Sequence, residues 1–179
     1  MKRMEMALLP LLIAGLFMAT NWKADPEKAK IEFSVKGLLG TVHGHFTGLK
    51  STLLFDEKDL AGSSITASVD AKTVSTGIGL RNRHVRQEEQ FLNADKYPTI
   101  SFKSKKIVKT AEGFSADGEL TIKDVTKPVH IPFTFRSDGA NAGIFKGAFN
   151  IKREDYNIGK PGGSIGDEIR IELEVPVTK

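Results

Sequence analysis

From residue 30 onward, apolar and polar side chains alternate with the period of two that a half-buried β-strand imposes. Clusters of Gly, Asn, Asp and Pro interrupt the alternation at short intervals. Eight strands are predicted, over residues 31–35, 42–55, 64–71, 99–108, 113–122, 129–137, 143–152 and 167–177. The last has the cleanest pattern: Ile169, Ile171, Leu173, Val175 and Val177 alternate with Glu168, Arg170, Glu172 and Glu174. One face of that strand belongs in a core and the other in water. Strands of this kind, joined by short turns, predict an all-β antiparallel architecture that closes on itself or packs as a sandwich.

Two segments break the alternation. Residues 80–92, LRNRHVRQEEQFL, have no strand period and are rich in good helix formers. Gly77 and Gly79 precede them and Tyr97-Pro98 follows, so a short helix capping one end of the sheet is predicted. The second is residues 154–166, which hold Gly159, Pro161, Gly162, Gly163 and Gly166 and are long for a connection inside a compact barrel. Helix and loop together are expected to frame a mouth, with the glycines as hinges and Pro161 restricting the tip.

The first residues read differently. Lys2 and Arg3 precede an apolar run over 7–19, broken only by Pro10 and Gly15, before Thr20 and Asn21 restore polarity. That layout is a secretory signal peptide, and the run is short of the ~20 residues a membrane span needs. The expectation is a leader over 1–20, a single domain over 21–179, and a periplasmic or secreted location. The chain has no cysteine, which removes disulfides, thiolate metal sites, lipid attachment at a lipobox and thiol catalysis. Without Lys2, Arg3 and Glu5, the 26 basic and 22 acidic side chains become 24 and 21, spread without runs. A balance this even gives no reason to expect nucleic acid as a partner.

Small barrels are either packed solid or left open for one ligand. Inward parity near strand middles selects Phe33, Val35, Phe46, Phe102, Leu120, Ile122, Phe133, Phe149, Ile151, Ile169, Ile171 and Leu173 as candidate lining residues. Eleven Phe against one Trp and two Tyr make an aromatic set with few polar handles, suited to a dry core or to an apolar tail. Burying ~500 Å² of such a tail contributes roughly 12 kcal/mol before ordering costs. A charge-assisted hydrogen bond to a head group adds about 1.5–3 kcal/mol. The tail would therefore set affinity and the head selectivity. Arg81, Arg83, His84 and Arg86 on the capping helix, with Arg153 after the seventh strand, are the candidate mouth cations. The alternative for each Arg is a bridge from helix to backbone carbonyls or to Asp95.

His43 and His45 form an H-x-H pair on one strand face, as two metal ligands could. No carboxylate follows at close spacing, and Gly44 between them signals a bulge or a close backbone approach. A metal-dependent enzyme built on this pair is the rival reading, but no metal or cofactor is expected. There is no G-x-S-x-G, Ser/His/Asp order or phosphate loop, and Gly77-Ile78-Gly79 lacks the β-α-β setting of a nucleotide fingerprint.

Several ordered strings resemble the signature of the YceI-like, lipocalin-like family over almost all of residues 21–179. They include Trp22, Asp25-Pro26, Phe33-Ser34-Val35-Lys36, Gly44-His45-Phe46, Phe55-Asp56, Ser63-Ser64, Thr76-Gly77, Arg81-Asn82-Arg83-His84-Val85 and the run FLNADKYPTISFKS over 91–104. Further on come GELTI over 118–122, VTKPV over 125–129, REDYNIG over 153–159 and Ile165-Gly166-Asp167. Departures are Gly37 where the family's first strand usually runs into a histidine, Asn82 for an aspartate, and Asp124 for a glycine. The resemblance implies an extended eight-stranded antiparallel lipocalin-like barrel around a long apolar cavity. It also implies binding without catalysis of a long-chain lipid, a polyisoprenoid such as a prenyl quinone or polyprenyl phosphate, or else a fatty acid or fatty amide. A homodimer through an exposed strand face and a transient membrane-surface contact are both compatible with that role.

Overall fold

The computed structural model describes residues 19–160 and 163–179. Ten strands make one antiparallel sheet: β1 (Asn21–Ala24), β2 (Lys30–Gly37), β3 (Gly40–Phe46), β4 (Lys50–Leu54), β5 (Ser64–Asp70), β6 (Thr99–Thr110), β7 (Gly113–Ile122), β8 (Val125–Ser137), β9 (Ala142–Lys152) and β10 (Ile165–Thr178). One helix, α1 (Gly79–Gln87), and two 3-10 turns, Ala71–Thr73 and Arg153–Tyr156, complete the described residues.

The ten strands occupy eight positions around a closed barrel. β1 and β2 are two pieces of one stave, since both pair with β10, Lys23 opposite Thr178 and Lys30 opposite Glu174. Asp25 divides them: its Oδ1 accepts the N–H groups of Glu27 and Lys28, a local turn that Asp side chains favour. β3 and β4 form another stave broken at 47–49, where Gly48 takes φ +70°. β4 pairs with β1 and β3 with β2, which closes the ring from β10 back to β5. Strand β6 carries a bulge between Ser104 and Lys106, beyond which Ile107 is buried on the inner side.

Four differences from the sequence-based expectation go beyond a residue or two at a strand end. The strand expected over 42–55 is two, β3 and β4, interrupted at 47–49. β1 is an added strand, too short to show a period of its own. β8 begins at Val125, four residues before the predicted start, because Pro128 can sit in a strand whose other side has no partner. The helix ends at Gln87 rather than at residue 92: Glu88 turns extended, and Leu92 N–H and Ala94 N–H fold back onto the carbonyls of Val85 and Arg86. That return buries Leu92 and Ala94, so packing overrides the helix propensity of the string.

Because the staves alternate in direction, the connections segregate to two ends. The upper end carries the β2–β3 turn at 38–39, the segment 71–98 with α1, the β7–β8 turn at 123–124 and the segment 153–164. The lower end is sealed by aromatics. Phe55, 1% exposed, lies at 5.1–5.5 Å ring-centroid distances from Phe114, Phe133, Phe135 and Phe145, and Trp22 packs on Phe135 at 5.0 Å. These tilted and edge-on pairs are the geometry aromatic quadrupoles prefer.

Two seams of the wall are incomplete: β3 has a ladder with β2 alone and beyond it only the single bridge His45–Ser75, and the seam between β8 and β9 is half joined. β8 and β9 pair over Phe133–Ser137 and Gly143–Gly147, while the upper part of β8 pairs with β7 alone and the upper part of β9 with β10 alone. Pro128 and Pro132 lie in that unpaired stretch of β8, and the 3-10 turn Arg153–Tyr156 packs against both strands.

Candidate functional site: an apolar cavity open at one end

Above the aromatic floor, the barrel encloses a cavity of about 470 Å³. Its wall is built by parity: on β10, Ile169, Ile171, Leu173 and Val175 turn inward while Glu168, Arg170, Glu172 and Glu174 face out. All twelve candidate lining residues, Phe33, Val35, Phe46, Phe102, Leu120, Ile122, Phe133, Phe149, Ile151, Ile169, Ile171 and Leu173, border this one space. Ile31, Val42, Leu53, Ile65, Ala67, Val69, Ile100 and Ile131 line it too and were not singled out, although they carry the same alternation signal. This lining is overwhelmingly apolar; Ser51 on β4, opposite the inward-facing Ala67, interrupts it midway, and Thr76, Arg81, His84 and Arg153 reach the space near the top.

The proposed mouth cations separate into two groups. Arg81 and His84 border the cavity, whereas Arg83 does not. Arg86 donates through Nε and Nη2 to the carbonyl of Val74 at 3.2 and 2.6 Å, so it ties α1 to the barrel rim. Arg153 is 1% exposed and its guanidinium is already engaged: Nε donates to Gly166 O, Nη1 to Ile158 O, and Nη2 to Ile165 O and Asp167 Oδ1. Its head-group role from the sequence is replaced by an architectural one, holding both ends of the Gly-rich loop. Gly159 lies under this guanidinium at φ +72°, where a Cβ would come within 2.9 Å of Nη1. Pro161 and Gly162 of the loop lie outside the described residues, as does nearly all of the expected leader.

Helix segment and loop meet at the same end. Gly159 N–H donates to the carbonyl of Gln90, and Lys123 Nζ bridges Glu89 O and Asn157 O at 2.8 and 2.9 Å. Partial burial holds the Lys123 ammonium below the usual lysine range. Asn82 Oδ1 accepts from both the N–H and the hydroxyl of Thr76, so the carbonyl of an amide anchors the start of α1 here. Tyr156, 1% exposed, has a hydroxyl with no hydrogen-bond partner, and burial followed by the Asp155 charge pushes its pKa up to about 12.

His43 and His45 stand on the outer wall, both exposed, opposite Ser34 and Glu32. Among the described residues, no three His, Asp or Glu side chains gather closely enough to hold a metal. The intervening glycine has a packing reason instead: a Cβ on Gly44 would lie 2.3 Å from the Phe33 ring and 2.8 Å from Ser75 O.

Comparison with known proteins agrees with this architecture. A UPF0312 protein of Yersinia enterocolitica is 34% identical over 170 residues, covering 90% of this chain and 88% of the relative. The crystal structure of Burkholderia cenocepacia BcnA superimposes with a TM-score of 0.80 at 26% identity, covering 86% of this chain and 99% of the other. A polyisoprenoid binding domain from Saccharophagus degradans shares the fold at a TM-score of 0.70 and 13% identity, over 88% of this chain and 97% of that one. The model of the YceI-like domain matches residues 22–177. A sheet closed from β10 back to β1, an apolar bore and this match over the barrel place the chain in the YceI-like domain family.

Proposed function

We propose that this protein binds and carries one long apolar molecule, a polyisoprenoid such as a prenyl quinone or a polyprenyl phosphate, with its tail in the barrel and its head at the mouth. The carrying observation is the combination of a floor of six packed aromatic rings with an overwhelmingly apolar bore above it, whose charged side chains gather near its top. A volume of about 470 Å³ falls in the range of pockets that enclose small molecules. The likeness to the polyisoprenoid binding domain of Saccharophagus degradans supports the choice of tail. Arg81 and His84 are the side chains that would read the head group, and an anionic head suits them best. The reading is of a binder and not an enzyme, acting in the periplasm or outside the cell, where the leader over 1–20 would send it.

The test is organic extraction and mass spectrometry of protein made in a lipid-containing host, followed by uptake of a prenyl quinone by delipidated protein. A stoichiometric isoprenoid, or saturable quinone uptake, is the expected result. A fatty acid or fatty amide in its place would retain the carrier role and change the cargo. No copurifying lipid together with no uptake refutes the carrier role.

A further inference from the structure

The large apolar side chains that stand exposed among the described residues are Leu38 (80%), Leu39 (100%), Ile78 (50%) and Leu80 (60%), and all four lie at the upper end of the barrel. Leu38 and Leu39 are the whole of the two-residue turn between β2 and β3. Tight hairpin turns favour Asn, Asp and Gly, and a pair of leucines in water satisfies neither the turn nor the core. Gly40, at φ +126°, already supplies the backbone conformation the turn needs. Ile78 precedes α1 and Leu80 lies in its first turn, which also carries Arg81, with Arg83 just after it; neither Arg pairs with an acid among the described residues. Apolar tips with cations directly behind them match the profile of a bilayer surface, acyl chains below and anionic head groups above. The location adds a reason: the cavity's lining runs up to this end, reaching Gly37 beside the hairpin and Arg81 and His84 on α1, and an apolar cargo loaded here need not cross water.

We propose that the upper rim is a membrane-docking surface for bilayers containing anionic phospholipid, with Leu38, Leu39, Ile78 and Leu80 entering the acyl boundary and Arg81 and Arg83 meeting phosphate. This deepens the carrier reading and rests on it only for its purpose, since docking itself requires no cargo. The chain enters the barrel at the opposite, lower end, at Thr20 and Asn21, so any membrane contact made through residues before them would present the other end.

The absence of cysteine gives a clean probe of orientation. Thr41→Cys beside the hairpin and Glu112→Cys in the lower β6–β7 turn are each labelled with an environment-sensitive dye and mixed with vesicles of phosphatidylglycerol and phosphatidylcholine in equal parts. The dye at 41 should shift to the blue and the dye at 112 should not. In vesicle flotation, Leu38→Ser with Leu39→Ser should lower the partition coefficient at least about ten-fold, since each leucine contributes through its own buried area. Arg81→Gln with Arg83→Gln should weaken binding and flatten its salt dependence. Equal shifts at both positions, or unchanged partition of the leucine variant with its circular dichroism intact, overturn the proposal. So does a dimer that the leucine variant dissolves while the wild type ignores vesicles, since the patch would then belong to a second copy. Quinone delivered in ethanol separates the two readings: normal uptake by a leucine variant that has lost vesicle binding supports docking, and vesicle binding without any uptake refutes the carrier role alone.

Discussion

The indole Nε1 of Trp22 donates a 3.0 Å hydrogen bond to the carbonyl of Phe55, whose own ring is the hub of the aromatic floor. The contact ties β1 to the segment leaving β4, across the lower end of the barrel. Phe55→Ala should destabilise the fold by about 3–5 kcal/mol, the usual cost of emptying a buried aromatic site. Trp22→Phe, which keeps one aromatic ring but loses the pyrrole ring with its donor, should cost about 1–3 kcal/mol. Urea unfolding midpoints check both, and a change smaller than 1 kcal/mol for Phe55→Ala would mean the floor is not a structural unit.

Arg153→Met leaves the carbonyls of Ile158, Ile165 and Gly166 without their guanidinium donor. Stability should fall by about 2–5 kcal/mol, and amide hydrogen exchange should rise over 157–166 before it rises elsewhere. Arg153→Lys should rescue little, since one ammonium cannot reproduce the planar fork.

The Tyr156 hydroxyl sits above its unfolded value of 10.0, at about 12, because burial disfavours the phenolate. The contribution of this group is therefore fully present below pH 10 and is lost as pH rises toward 12. Tyr156→Phe should flatten the alkaline limb of a stability profile. At neutral pH it should be neutral or stabilising by up to about 2 kcal/mol, because the removed hydroxyl has no partner. Chemical unfolding at pH 7 and across the range 9 to 12 separates the two effects.

Ala67 faces the cavity from β5. Ala67→Phe places a ring in the bore, so quinone uptake should fall at least about ten-fold while stability changes by less than about 1.5 kcal/mol, because the new side chain enters open space. Calorimetric or fluorescence titration of delipidated protein reads the first and thermal unfolding the second.

The wall was legible in the sequence because a strand with one wet face writes its burial into alternate residues, as Ile169 to Val177 do. Parity also survives small errors of boundary, which is why a β8 begun at 129 still pointed Phe133 inward. The rim was harder to read. Arg153 looks like a free cation in the string, and only the loop's returning carbonyls, brought together by folding, reveal that it is engaged. Leu92 and Ala94 end the helix early because the barrel top needs apolar cover, a demand made by residues far away in the chain. The Leu38-Leu39 pair between Gly37 and Gly40 was visible as an apolar turn, a signal that strand-based reading passes over because it attends to the strands.

The incomplete joint between β8 and β9 gives the barrel an unequal resistance to widening. The outer edge of β3 is a second open line, bridged only at His45–Ser75; along the other seams, enlarging the bore means breaking a ladder of backbone hydrogen bonds. Above Phe133 the two strands share none, and the joint is held by packing that includes the turn carrying Tyr156. The lower end, riveted by the aromatic floor and the Phe133–Ser137 ladder, stays at fixed width. The container is thus shaped like a clothes peg, with a rigid spring below and jaws that part along the two open lines, and its capacity is set by how far those lines open around a thicker chain.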